Sequence, residues 1–179
     1  MDSQHQENQG LPILSLAQMS RALTPQVFAK TFADTFLVGL PAEDDDNDGE
    51  DWAYQTTYIR SVPGSDGRMA FVDVKSTRVF PLRKARKGAF ADTILVGRAA
   101  SNDVCIDHSS VSKLHARIRR LPEGGLRLSD ASSLNGTKLN DRPIGGDVPL
   151  RDTDRVVFGS IAVEVYDAWR LHQLLMRLR

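Results

Sequence analysis

One cysteine, Cys105, stands among 179 residues, so no disulfide can form within the chain. A lone thiol fits a reducing compartment, and a cytoplasmic protein is expected. No uncharged run nears the roughly 18 apolar residues of a membrane span, so no membrane partner is expected. Asp2 and Glu7 precede any basic residue, unlike the basic start of a secretory signal. The four histidines (His5, His108, His115, His172) and the cysteine lack metal-ligand spacing, so neither a metal nor a cofactor is expected. The strand–elbow–helix pattern of a nucleophilic serine is also missing, and Ser112 and His115 have no acidic partner at a telling position. The chain therefore reads as a protein that is not an enzyme.

Net charge is lacking too, but its distribution is uneven. Residues 1–61 carry 10 acids and 3 bases, and residues 62–179 carry 13 acids and 20 bases. The C-terminal portion favours anionic partners, and the N-terminal portion could itself be one of them. With 41% hydrophobic and 26% charged residues the chain has a globular composition, long enough to bury a core without covalent staples.

Residues 1–10 are polar and expected to fray. Residues 13–37 contain a helical stretch, with Leu23, Val27, Phe28 and Phe32 at three- and four-residue spacing, and Thr24 as an N-cap before Pro25. Residues 35–39 either end that helix or start an extended segment. Residues 43–51 hold seven acids in nine positions and read as a solvated linker. Asp44, Asp46, Asp48 and Gly49 match the start of a calcium loop, but Trp52 and Gln55 fill its ninth and twelfth positions, so no calcium site is expected.

From residue 52 the pattern changes to short runs rich in β-branched and aromatic residues, at 54–60, 71–74, 77–80, 93–96, 104–106, 115–118, 126–128, 156–158 and 161–166. Turn pairs such as Gly124-Gly125, Asn135-Gly136 and Asn140-Asp141 separate them. The fold class is all-β, an antiparallel sandwich or barrel. Residues 167–179 close with an amphipathic helix. The expected division is 1–51, a partly helical extension with an acidic linker; 52–167, the β-domain; and 168–179, the terminal helix. Cys105, Trp52 and Trp169 are expected to pack.

Three motifs carry the chemistry. Gly97-Arg98 precedes Asn102-Asp103-Val104. Ser110-Val111-Ser112-Lys113-Leu114-His115-Ala116 follows. Then come Asp130 and Ser133-Leu134-Asn135-Gly136-Thr137, with Asp154-Arg155-Val156-Val157-Phe158-Gly159 trailing. A guanidinium, a hydroxyl and a carboxamide at strand ends and in loops supply a fixed charge, a donor and a clamp, which suits a phosphate carried on a peptide.

In order and spacing these motifs resemble the forkhead-associated (FHA) domain over residues 77–166. The resemblance implies an eleven-stranded sandwich of two sheets that binds phosphothreonine in an extended peptide through loops at one end. It implies that Arg98 contacts the phosphate, that Ser112 hydrogen-bonds a phosphate oxygen, that Lys113 adds charge and that Asn135 holds the peptide backbone. His115 would brace the loops from behind, while Gly97, Ser133, Gly136 and Thr137 shape the turns. Leu134 stands where many members place a polar side chain that reaches the phosphate or the peptide. Arg142 and residues 83–87 are candidates for reading the residue three positions after the phosphothreonine.

The function so implied is an adaptor downstream of a Ser/Thr kinase, with a phosphothreonine protein as partner. The partner could be the chain's own extension, through Thr24, Thr31, Thr35, Thr56 or Thr57; Thr31 has Asp34 three residues on, a spacing many FHA domains favour. A phospho-independent scaffold is the alternative. The basic residues 83–87 read as a solvated loop near the site rather than a nucleic-acid surface.

Overall fold

The computed structural model describes residues 8–39, 77–84 and 91–178. The acidic run, the calcium-loop positions, the segments 54–60 and 71–74, Thr56 and Thr57 lie outside them, as does the expected boundary at residue 51.

Within the N-terminal portion, Leu11–Pro12 forms a short strand β1, followed by helices α1 (Ile13–Ser20) and α2 (Pro25–Thr31) and strand β2 (Thr35–Gly39). The helix expected within 13–37 behind the Thr24 cap is α2, and a second helix, α1, precedes it. The break falls where Thr24 caps α2, accepting a hydrogen bond from the Val27 amide at 3.3 Å, with Pro25 at the first helical position. Thr35-Phe36-Leu37-Val38-Gly39 takes the extended alternative because both of its faces are buried. Leu37 points into the sandwich core, while Phe36 and Val38 join a second apolar cluster with the helices.

Ten further strands follow: β3 (Arg78–Pro81), β4 (Thr93–Gly97), β5 (Val104–Cys105), β6 (Ala116–Arg120), β7 (Leu126–Asp130), β8 (Thr137–Leu139), β9 (Arg142–Pro143), β10 (Val148–Leu150), β11 (Arg155–Phe158) and β12 (Ile161–Asp167). They form a seven-stranded sheet in the order β1-β3-β2-β12-β11-β8-β9 and a five-stranded sheet in the order β10-β7-β6-β4-β5. Pairing is antiparallel except between β4 and β5, where Val96 faces Val104 and Gly97 faces Cys105. The resemblance implied eleven strands, and the described residues form twelve; two of these, β1 at the edge of the seven-stranded sheet and β2 within it, come from the N-terminal portion.

Between the sheets, Leu37, Phe80, Val156, Phe158, Val163 and Val165 of one meet Ile94, Val96, Ile118 and Leu128 of the other. Helices cover the outer face of the seven-stranded sheet. There Phe28 packs on Phe32 and Phe36, with ring centroids 5.1 and 5.4 Å apart. Helix α3 (Ala168–Leu175), capped by Asp167 on the Arg170 amide, adds Leu171, Leu174 and Leu175. The layers are thus helix, sheet and sheet, with two apolar cores. Cys105 is buried as expected, but Trp169 is not: it stands 63% exposed at the start of α3, on the face turned from the sheet. Lys84 is no solvated-loop charge either, since it pairs at 2.8 Å with the buried Asp103.

Candidate functional site

Construction of the site starts at Gly97. A Cβ there would lie 2.5 Å from the Lys113 carbonyl oxygen and 2.9 Å from Leu114 Cα, so the glycine lets the loop before β6 cross the end of β4. The crossing is then fastened. The Arg98 amide donates to the Ser112 carbonyl at 2.9 Å and the Ala99 amide to the Lys113 carbonyl at 3.1 Å. Asn102 Nδ2 donates to the Ala99 and Lys113 carbonyls at 2.9 and 2.6 Å. Arg98 Nε donates to the Val111 carbonyl at 3.3 Å, which aims the exposed side chain along this loop and leaves its two terminal nitrogens without a partner among the described residues.

The β7–β8 loop is tied to the same place. Ser112 Oγ accepts from the Leu134 amide at 3.0 Å, and Asn135 Nδ2 donates to the Ser110 carbonyl at 2.8 Å. Arg98, Ser112 and Asn135 therefore converge on one rim, held there by hydrogen bonds between their own loops. Lys113 is exposed on it.

Behind the rim lies His115, fully buried and edge-on to Phe158 at 5.7 Å. Its Nδ1 accepts from the Ser112 amide at 3.0 Å, and its Nε2–H reaches the Gly136 carbonyl at 3.1 Å. One ring thus joins two loops, and only the neutral tautomer with the proton on Nε2 makes both bonds. Burial pushes its pKa down, against the opposing pull of the Gly136 carbonyl and Asp130. Asp130 fixes the β7–β8 loop, accepting from the Ser133 amide (2.9 Å), the Ser133 hydroxyl (2.7 Å) and the Thr137 hydroxyl (2.6 Å). Burial raises the Asp130 pKa, but these three donors outweigh it and hold the carboxyl below its ordinary value. Gly136, at φ +74°, turns the chain into β8.

Two residues of the site had no assigned role in the sequence. Ser110 joins three loops: its carbonyl takes Asn135, and its Oγ meets His108 Nδ1 at 2.8 Å and accepts from the Ser160 amide at 3.0 Å. Gly159 makes room for it, since a Cβ there would sit 2.4 Å from the Ser110 carbonyl oxygen. Asn8 lies in the segment expected to fray, yet it is buried. Its side chain donates to the Ala100 carbonyl at 2.9 Å and its carbonyl accepts from the Cys105 amide at 2.7 Å, so it props the loop that carries Arg98. Serine and asparagine carry little signal until their partners are known. Arg142 stands exposed on β9, with no described hydrogen bond to the rim.

Residues 94–159 match the family model of the FHA domain. The oxoglutarate dehydrogenase inhibitor of Corynebacterium diphtheriae is 37% identical over 68 residues, which are 38% of this chain and 46% of that protein, so the chain spans less than half the length of this relative. A solved structure described as an analysis of phosphothreonine-dependent FHA domain interactions is 21% identical, with 73% of this chain and 95% of that one covered and a TM-score of 0.43. Mycobacterium tuberculosis EmbR in complex with a low-affinity phosphopeptide is 26% identical, with 43% and 20% covered and a TM-score of 0.40. The stretch from β4 through β11, where the motif residues meet on one rim, matches the FHA domain, and the N-terminal portion of the chain adds two helices and two strands to the sandwich that holds it.

Proposed function

We propose that the rim binds phosphothreonine in an extended peptide, and that the chain is a non-catalytic adaptor for proteins phosphorylated by a Ser/Thr kinase. The observation that carries this reading is the convergence of Arg98, Ser112 and Asn135. Each retains unused hydrogen-bonding capacity suited to a phosphopeptide. The terminal nitrogens of Arg98 offer a charged fork for phosphate oxygens. The Ser112 oxygen already accepts from Leu134, which leaves its O–H to donate. Asn135 uses one amide hydrogen on Ser110, leaving its carbonyl oxygen and second hydrogen for a peptide backbone. Lys113 adds positive charge. A relative named as an inhibitor of another enzyme supports a role without catalysis.

The partner is a separate protein, or the chain's own Thr56 or Thr57, which lie outside the described residues. Thr24 caps α2, Thr31 ends it with its hydroxyl on the Val27 carbonyl at 2.8 Å, and Thr35 pairs with Asp167 in the sheet. None of the three can reach the rim as an extended peptide without leaving the fold.

Calorimetry with a phosphothreonine peptide, its phosphoserine analogue and the unphosphorylated twin tests this reading. The phosphothreonine form binds tightest, and Arg98→Ala weakens it about 30- to 150-fold, the loss of a charge-assisted bond of about 2–3 kcal/mol. Equal binding of phosphorylated and unphosphorylated peptides would instead make the chain a phospho-independent scaffold.

A further inference from the structure

Leu134 is the most exposed large hydrophobic residue described, at 89%, and it adjoins Ser112 and Asn135, two of the groups that hold the ligand in the reading above. Its amide is bound to Ser112 Oγ at 3.0 Å, and the next residue, Asn135, is bound to Ser110 at 2.8 Å. The residue before it, Ser133, is bound twice to Asp130. The backbone at 134 is therefore fixed from both sides while its side chain packs on nothing. A single exposed leucine is ordinary on a protein surface. A leucine held out by three consecutive anchored residues, in the middle of a polar rim, is a prearranged apolar contact. An incoming side chain can bury it without first ordering the loop, so little entropy opposes the gain.

We propose that Leu134 sets the sequence preference of this site, selecting a phosphopeptide with an apolar residue directly beside the phosphothreonine. The proposal rests on the phosphothreonine reading and adds the chemical class of the neighbouring residue. A polar side chain at 134 would serve the phosphate; leucine can serve only an apolar neighbour, and it leaves the phosphate to Arg98, Ser112 and Lys113. Charged or small polar residues beside the phosphothreonine gain nothing from it, and an aspartate there loses hydration against it.

Fluorescence anisotropy on a set of labelled peptides, alike except for leucine, serine or aspartate at the positions before and after the phosphothreonine, tests this. Each peptide is run in phosphorylated and unphosphorylated form against the wild-type chain and Leu134→Ser, which keeps the backbone amide. The wild type prefers a leucine-flanked phosphopeptide over the serine-flanked one about tenfold, equivalent to about 1.4 kcal/mol. Leu134→Ser removes that preference, and because its hydroxyl can serve the phosphate it leaves the serine-flanked affinity equal to or above that of the wild type. The preference survives added salt, whereas phosphate binding weakens with it. Two results would overturn the assignment while sparing the phosphothreonine reading: equal wild-type affinity for all flanking residues, or an equal loss for every phosphopeptide in Leu134→Ser. If phosphorylation itself gives no gain in binding, both fail.

Discussion

At the scale of single residues, the neutral ring of His115 decides how firmly the rim is built. A proton on Nδ1 would remove the lone pair that accepts the Ser112 amide, releasing the loop that carries the Ser112 hydroxyl. Burial holds the folded pKa below the ordinary 6.5, so between these values the unfolded chain binds the proton and the folded chain resists it. The contribution of His115 to stability is therefore complete above about pH 6.5 and is lost as pH falls from there toward the folded value. Thermal unfolding should show a midpoint that declines from pH 7 to pH 5, with a shallower decline in His115→Gln; identical slopes would contradict the role. Asp130 acts in a lower window. Its three donors hold it below 3.8, so its contribution is lost only as pH falls under about 4. Phosphopeptide affinity should also fall below pH 6, because the phosphate itself gains a proton near a pKa of about 6.

At the scale of elements, the crossing at Gly97 is the most sensitive joint. Gly97→Ala places a methyl 2.5 Å from a backbone oxygen, which no side-chain rotation relieves. The loop of residues 112–115 must move, costing about 1–3 kcal/mol by the measure of overpacked cores, and phosphopeptide binding should fall more than stability does. Urea unfolding and calorimetry on the same variant separate the two effects; unchanged affinity would show that the crossing does not position the site. Much of this level is written in the sequence. Period-two alternation marks β6 and β7, and Asn140-Asp141, both at positive φ, close the two-residue hairpin between β8 and β9. Strands β8, β9 and β10 escape such reading because two or three residues are too few to alternate. Strand β2 is ambiguous for the opposite reason: burial on both faces makes its apolar run continuous, a pattern helices share. The rim residues are legible as a spaced motif, whereas Ser110 and Asn8 become functional only through partners brought from distant parts of the chain.

At the scale of the whole molecule, the N-terminal portion is part of the sandwich. Strand β2 lies between β3 and β12, with Leu37 in the sandwich core and Phe36 beneath the helices. Removing residues 1–76 takes away β1, β2, α1 and α2 together. It uncovers the outer face of the seven-stranded sheet and frees the loop that Asn8 supports. A total stability of about 5–15 kcal/mol cannot absorb such a loss, when truncating one buried phenylalanine costs about 3–5 kcal/mol. The fragment 77–179 should therefore fail to fold cooperatively by circular dichroism, and a fragment that melts like the full chain would show that the remaining strands stand without the N-terminal portion.

The most direct test of the central claim is a nuclear magnetic resonance titration of the full chain with a phosphothreonine peptide, following every backbone amide. The account predicts that the largest shifts fall together at residues 97–99, 110–113 and 133–136, and that Arg98→Ala suppresses all three groups. Shifts at only one of these segments, shifts elsewhere on the sandwich, or the same shifts from the unphosphorylated peptide would contradict it.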